Sequence, residues 1–482
     1  MRIPKPIKDV LETLEKNKFQ SFVVGGCVRD IFTDKKPKDW DVATNATPGQ
    51  VTKLFKKSYS LNRFGTVTVL TGSKTDSLKE VEITTFRTEQ NYSDNRHPDK
   101  VEWAKTIEED LSRRDFTSNA IAVNSKQEII DPFDGQKDIK DKILRAVGDA
   151  NERFNEDALR LMRAVRFAST LSFKIEEKTN KAILKNAKLL KNISKERIRD
   201  ELLKIIMSDV PSEGINMLRE LGLLEYVLPE LLEGYKVGQN KHHIFDIYDH
   251  SVNSLDYAAQ QKFSMHVRVS ALLHDIGKPR SKEGEGEDST FYNHEIIGAK
   301  MTRKILNDLK FSKKDAEKII KLVRYHLFYY NVDEVQESSV RRLLGRVGKE
   351  NFDELVELRM SDRIGSGCPK ALPYKLRHFQ YVADRVSQDV INVNKLKVGG
   401  QDVMNILKIQ PGPILGKILN ILLGEVLDDP KKNTKKYLKI RVKELGALKD
   451  KELDKLFNSA KEKKDDIVFK RDEMTKKKYW VT

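Results

Sequence analysis

At 482 residues the chain is too long for one hydrophobic core and, at roughly 100 to 200 residues per domain, divides into about three. Apolar residues at 39% and charged residues at 34% fit a folded protein and exclude a disordered one. No stretch approaches the roughly 18 uncharged apolar residues of a membrane span, and two cysteines, Cys27 and Cys368, exclude a disulfide framework.

The opening MRIPKPIKDVLETLEKNKF mixes charge with apolar residues instead of forming a signal-peptide core, so a cytoplasmic location is expected. The net charge is +16, and residues 431–482 carry 18 Lys and Arg against 9 Asp and Glu, so about half of the excess lies in that tail. A polyanionic partner follows from that balance.

In chain order, SFVVGG (21–26) reads as a short buried strand, GTVTVLTG (65–72) and EVEITTFRT (80–88) as alternating strands, and SNAIAV (118–123) as another. Helical stretches separate them, so the first ~135 residues form a mixed α/β region. After DPFDG (131–135) the period changes to that of helices: NEDALRLMRAVRFASTL, NKAILKNAKLLKNI and SKERIRDELLKIIM carry apolar residues at helical spacing, with Ser194 as an N-cap. Breaks fall at 226–240 and 365–373, and the acidic, Gly-rich KEGEGEDS (282–289) reads as an exposed loop.

The densest chemistry lies in FVVGGCVRDIFTDKKPKDWDVAT (22–44). Asp39 and Asp41 flank Trp40, and in an extended strand residues i and i+2 share a face, so both carboxylates can hold the same divalent cations. Mg²⁺ prefers carboxylate and phosphate oxygens and stabilises the entering and leaving oxygens of a phosphoryl displacement. Glu82 in VEITTF is the best third carboxylate, and Gly25-Gly26 open a strand-to-helix turn where backbone N–H groups can approach a phosphate.

GG-x-VRD followed by D-x-D resembles the nucleotidyltransferase superfamily, specifically the bacterial-type (class II) tRNA nucleotidyltransferases, or CCA-adding enzymes. EITTFRTEQNYSDNRHPDKVEW, EEDLSRRDFTSNAIAV and DPFDGQKDIKDKILRAVGDANERFNEDALRLMRAVRFA are similar to that family's strand and flexible loop (here 91–100), Arg-Arg-Asp motif and neck, in the family's order. The resemblance covers about residues 20–170 densely. It implies an α+β fold: a polymerase-β-like nucleotidyltransferase head (1–135), an all-α neck with a nucleotide-selecting motif (136–238), an HD domain (239–365) and a basic helical tRNA-binding tail (366–482). Residue by residue it implies Asp39 and Asp41 as the catalytic carboxylates that hold Mg²⁺, with Glu82, from its own position, as the candidate third. Gly25, Gly26 and Arg29 then meet the triphosphate and Arg114 the incoming nucleotide, while Asp115 orients its neighbours or the ribose.

Asp157, Arg160, Arg163 and Arg166 recur every three residues, a spacing that places successive members near one another on a helix. A carboxylate only accepts hydrogen bonds and a guanidinium only donates them. Side by side, Asp157 and Arg160 match a base edge with an amine beside a ring-nitrogen acceptor, which cytosine and adenine present and uracil and guanine do not. Arg163 and Arg166 are then further nucleotide ligands, to phosphate or ribose.

A second constellation runs His250, His274-Asp275, His294, His326, Asp362, in the order H…HD…H…H…D. Imidazoles with carboxylates suit a transition metal, Mg²⁺ or Mn²⁺ that activates water for phosphoester hydrolysis. The pattern resembles the HD phosphohydrolase superfamily over about 240–365. His250, His274, Asp275 and Asp362 are expected to hold a first metal, and His294 and His326 to bring a second.

The leading expectation is therefore template-independent addition of C and A, as CCA or part of it, to tRNA 3′ ends from CTP and ATP, with an accessory HD phosphohydrolase. Alternatives are an A-adding or CC-adding enzyme or a poly(A) polymerase of the same architecture, an HD phosphohydrolase with a nucleotide-binding N-terminal domain, or an RNA-binding module that retains the old motifs.

Overall fold

The computed structural model describes residues 3–60, 65–90, 100–240, 244–332, 334–387, 393 and 396–482. Most of the loop singled out at 91–100, together with His97, His242 and His243, lies outside them.

The N-terminal region runs α1 (Lys5–Lys16), β1 (Ser21–Val24), α2 (Gly26–Phe32), β2 (Asp41–Thr44), α3 (Pro48–Leu54), β3 (Ser58–Ser60), β4 (Thr66–Leu70), α4 (Asp76–Lys79), β5 (Glu80–Thr85), β6 (Arg87–Gln90), β7 (Lys100–Trp103), α5 (Ile107–Ser112), β8 (Ala122–Val123) and β9 (Ile129–Ile130). Seven of these strands form one mixed sheet in the order β3-β4-β5-β2-β1-β8-β9. Here β2 runs parallel to β5, while β1 is antiparallel to both β2 and β8. Both faces are covered. On β1, Val23 joins the main core while Phe22 and Val24 join a separate cluster with Phe86, Ile107 and Leu111, as the two-residue period of a strand requires. Helix α1 contributes Ile7, Val10, Leu11 and Leu14 to the main core at helical spacing, each burial stabilising by about 1.5–3 kcal/mol. SNAIAV is less of a strand than its composition suggests: Thr117–Asn119 form a 3₁₀ turn, and Ala122 and Val123 pair with β1.

Helices then dominate: α6 (Gly135–Asp141), α7 (Ala150–Glu156), α8 (Leu159–Leu171), α9 (Glu177–Asn186), α10 (Lys195–Ile206), α11 (Pro211–Glu220), α12 (Leu224–Val227), α13 (Pro229–Leu232), α14 (Ile247–Gln260), α15 (Met265–Leu273), α16 (Lys278–Ser281), α17 (His294–Asp308), α18 (Lys313–Tyr325), α19 (Glu337–Val347), α20 (Phe352–Gly365), α21 (Tyr374–Ser387), α22 (Gly400–Leu407), α23 (Pro413–Asp428), α24 (Lys435–Gly446) and α25 (Asp450–Tyr479). A two-residue parallel pair, Ile143–Leu144 with Lys174–Ile175, interrupts them. Ser194 is the N-cap of α10, although its hydroxyl makes no capping bond. Helix α8 is buried over most of its surface, against α10 and α11; Arg160 is buried, and Arg163 and Arg166 are partly exposed.

Two compact units emerge. One comprises residues 1–327 and 353–371, and the other residues 328–352 and 372–482. The second unit has its own core, including Val403, Ile418, Leu422, Leu438, Val442 and Leu453. Among the described residues no helix is long and apolar enough to cross a membrane.

Candidate active site and metal centre

At the end of β1, Gly25 takes φ +78°, and an added Cβ would stand 3.0 Å from Nη1 of Arg114 and 3.6 Å from Oδ2 of Asp41. The chain therefore turns into α2 only with glycine here. Strand β2 begins at Asp41, and the register sets Asp41 opposite Glu82 on β5. Asp39 is not on the strand, as the D-x-D alternation implied, but in the bend before it, because pairing with β1 and β5 starts at Asp41. Burial, reinforced by the charges of Asp39 and Glu82 and opposed by Arg114, pushes the Asp41 carboxyl up to about 6.

Around the carboxylates stands a set of guanidiniums. Arg29, on α2, donates to Asn119 Oδ1 (2.8 Å) and Asp30 Oδ1 (2.6 Å). Asp110 is buried and accepts from Arg113 (2.8 Å) and Arg114 (3.2 Å), while Nε of Arg114 is buried without a hydrogen-bond partner. Asp115 accepts from Asn119 and the amide of Phe116, and pairs with Arg163 at 2.5 Å. Burial alone would raise the Asp115 carboxyl, but Arg163 and Asn119 outweigh it and hold it well below the usual carboxylate range. Arg166 pairs with Glu201 (2.6 Å). Phe167 lies beneath three of these cations, its ring centre 3.9 Å from Arg166, 5.0 Å from Arg29 and 5.2 Å from Arg163, distances at which the ring quadrupole attracts them.

Asp157 departs from the sequence reading. It lies in extended backbone (φ −135°, ψ 101°) at the joint after α7, and α8 starts at Leu159, so Asp157 is not on the helix that carries Arg160, Arg163 and Arg166. Its carboxylate accepts from Leu159 N–H and from both terminal nitrogens of Arg197 on α10 (3.2 and 2.8 Å). Arg160 donates to Glu156 Oε2 (2.6 Å) and to the carbonyls of Arg153 and Arg113.

Gly25, Gly26, Arg29, Asp39, Asp41, Glu82, Arg114, Asp115, Asp157, Arg160, Arg163 and Arg166 nonetheless all line one cavity of about 750 Å³. Arg87, Arg113, Asn119, Phe167 and Arg197 share it, and the sequence reading named none of them. The RRD motif pointed to Arg113. Arg197, inside an ordinary amphipathic helix, had no signal.

The second constellation converges as well. Asp275 is shared: Oδ2 lies 3.1 Å from Nε2 of His250 and 3.3 Å from Nε2 of His274, and Oδ1 lies 3.3 Å from His294 and 3.6 Å from His326. Asp362 Oδ1 stands 3.4 Å from His250, and all six residues are buried. His274 and His326 cap the C-termini of α15 and α18, and each ring bonds through Nδ1 to the carbonyl three residues back, Ala271 (2.8 Å) and Val323 (2.7 Å). His294 does the same to Phe291 (2.7 Å). Three rings thus use Nδ1–H on the backbone and turn Nε2 inward, the arrangement typical of metal-ligating histidines. His294 Nε2 is buried and makes no hydrogen bond, leaving an unmet valence that a cation would satisfy. Burial opposes a charge on His274, yet Asp275 and Asp362 push it up to about 10. Lys278 pairs with Asp275 (2.6 Å) and Arg359 with Asp362 (2.5 Å). Asp275, His294, His326 and Asp362 face a cavity of about 470 Å³, also lined by Lys278, Arg359, Arg363 and Tyr292.

Three family signatures match the chain in order: the poly A polymerase head domain at 21–145, the probable RNA- and SrmB-binding site of polymerase A at 172–234, and the HD domain at 247–364. The CCA-adding enzyme of Ligilactobacillus salivarius is 32% identical over 464 residues, covering 91% of this chain and 99% of the relative. The chain belongs to the CCA-adding enzyme family. The CCA-adding enzyme of Lactobacillus delbrueckii subsp. bulgaricus is 49% identical over 217 residues, 45% of this chain, and the match spans about half (54%) of that relative's length. Among solved structures, the CCA-adding enzyme of Bacillus stearothermophilus in complex with CTP superposes with a TM-score of 0.60 at 26% identity, covering 92% of this chain and 98% of that one. Membership in this nucleotidyltransferase family implies use of divalent metal.

Proposed function

We propose that the chain adds C and A nucleotides, as CCA or part of it, to the 3′ end of tRNA from CTP and ATP. The observation that carries this reading is the single cavity in which a carboxylate trio, a side-chain-free strand end and a wall of arginines meet Asp157 and Arg160.

Asp39, Asp41 and Glu82 offer oxygen donors of the kind Mg²⁺ prefers, although their oxygens do not converge as the ligand atoms of the HD centre do, and a bound Mg²⁺ would neutralise charge on the entering and leaving oxygens. The chain's own residues do the positioning. Gly25 and Gly26 leave room for the triphosphate, and Arg29 and Arg114 offer it charge-assisted hydrogen bonds. Arg163 and Arg166 serve the phosphates or ribose, and Asp115 holds Arg163 in place. The tRNA 3′-hydroxyl attacks the α-phosphate and pyrophosphate leaves. Asp157 accepts from the amine of the incoming base while Arg160 donates to its ring nitrogen. In this reading the head (1–135), neck (136–238), HD domain (239–365) and basic tail (366–482) divide the labour, the tail gripping RNA phosphates.

The test supplies tRNAs ending before CCA, after C and after CC with each labelled triphosphate and Mg²⁺. CTP and ATP are incorporated in turn, and UTP and GTP are not. Activity surviving Asp39→Ala combined with Asp41→Ala overturns the mechanism.

The inward-turned Nε2 atoms favour a second activity at the HD centre: metal-dependent hydrolysis of nucleotide phosphoesters, with His250, His274, Asp275 and Asp362 holding one metal and His294 and His326 a second. Phosphate release from nucleotide monophosphates or 2′,3′-cyclic phosphates with added Mn²⁺, Ni²⁺ or Mg²⁺ should vanish in His274→Ala. No release by the unmutated protein with any of these metals overturns it.

A further inference from the structure

We propose that Arg197 is a specificity-determining positioning residue, clamping the Asp157 carboxylate so that a single acceptor direction faces the incoming base. The inference rests on the reading of Asp157 as the base acceptor.

Asp157 needs such a clamp because its backbone bonds fix the main chain and not the plane of the carboxylate. It sits in the extended joint between α7 and α8, its N–H on the Arg153 carbonyl (3.4 Å) and its own carbonyl accepting from Arg160 N–H (3.0 Å), with its side chain about 20% exposed. The two terminal nitrogens of Arg197 reach Oδ1 at 3.2 Å and Oδ2 at 2.8 Å, a fork that fixes the plane of the carboxylate as one point charge could not. Leu159 N–H takes a further place on Oδ1 at 3.1 Å. An ionised carboxylate offers about four lone-pair directions, so these three bonds leave one, on Oδ2.

Two consequences for base choice follow. The one open direction accepts the amine of cytosine or adenine and repels the carbonyl oxygen that uracil or guanine presents at the same place. The clamp also occupies the forward donors of Arg197, which if released into the cavity would offer a uracil or guanine carbonyl the hydrogen bond it lacks. Arg197 lines the cavity, so both effects act where the nucleotide would lie.

The experiment measures kcat/KM for CTP and for UTP separately on a tRNA ending before CCA, with the full-length protein and its Arg197→Met, Arg197→Lys, Asp157→Asn and Arg197→Met/Asp157→Asn variants. The CTP-to-UTP ratio is expected to fall about tenfold to a hundredfold in Arg197→Met, the scale of one lost bidentate contact. Arg197→Lys, which keeps the charge but loses the fork, should fall in between and covers the case in which Arg197→Met does not fold. The double variant should match Asp157→Asn, because a clamp without its carboxylate has nothing to hold. Equal losses for CTP and UTP, leaving the ratio unchanged, or fully additive effects in the double variant, overturn the inference while the base-acceptor reading stands. Unaltered discrimination in Asp157→Asn overturns that reading itself, and the inference with it.

Discussion

Asp41 and Glu82 stand opposite each other on parallel neighbouring strands, β2 and β5, so two acids from segments forty residues apart share one end of the sheet. If Glu82 completes the metal-binding trio, Glu82→Gln should raise the Mg²⁺ concentration for half-maximal nucleotide addition by at least about tenfold, the scale seen when groups supporting a metal site are removed. Titrating Mg²⁺ against addition rate at saturating CTP checks it, and an unchanged midpoint removes Glu82 from the trio.

Gly25→Ala should damage the site more than the fold. Positive φ without glycine costs about 1–3 kcal/mol, and the new methyl would stand 3.0 Å from Arg114 Nη1. The expected outcome is more than tenfold loss of kcat/KM for CTP with a Tm lowered by only a few degrees.

At the HD centre, metal binding should register as stability. A cation held by the native protein alone adds about 2.7 kcal/mol at a hundredfold excess over its Kd. Thermal unfolding with Mn²⁺ or Ni²⁺ should therefore shift upward for the unmutated protein and stay put for Asp275→Asn, since Asp275 touches both ligand groups. Gly277→Ala should abolish the shift too, because its Cβ would lie 2.2 Å from the carbonyl oxygen of His294 and push the start of α17 away.

Glu357 offers a pH test on α20, the helix that also carries Arg359 and Asp362 of the HD centre. Half burial, with Glu354 and Asp353 adding repulsion and Lys318 opposing them, pushes its carboxyl from the ordinary 4.5 up to about 7. Between those values the folded protein holds a proton that the unfolded chain has released, so stability falls as pH rises from 4.5 to 7 and stays lower above. Glu357→Gln should leave Tm nearly unchanged at pH 4 and raise it at pH 8. A Tm gain of the same size at both pH values would show that burial, not charge, sets the difference.

How much of this the sequence disclosed depended on what kind of residue carried the information. Asp39, Asp41 and the H…HD…H…H…D series were legible because metal chemistry admits few residue types and their order survives folding. The partners were not. Arg197 meets Asp157 across forty residues and is one more charge in SKERIRDELLKIIM, where helical periodicity explains every position. Phe167, on α8 beneath Arg29 of α2, likewise becomes visible only when separate elements meet, whereas Asp110 pairs with Arg113 and Arg114 three and four residues along the same segment. The three-residue recurrence from Asp157 to Arg166 misled at its first member, since spacing alone cannot register that a helix has not yet begun.

The backbone bonds of His274 and His326 tie the HD centre to the integrity of two helix ends. Each ring takes its orientation from a carbonyl in the last turn, the part of a helix that frays first. Warming that loosened the ends of α15 and α18 would free the imidazoles to rotate before the cores beneath them melted. Cation release would then precede global unfolding, and amide exchange at those two turns would report it first.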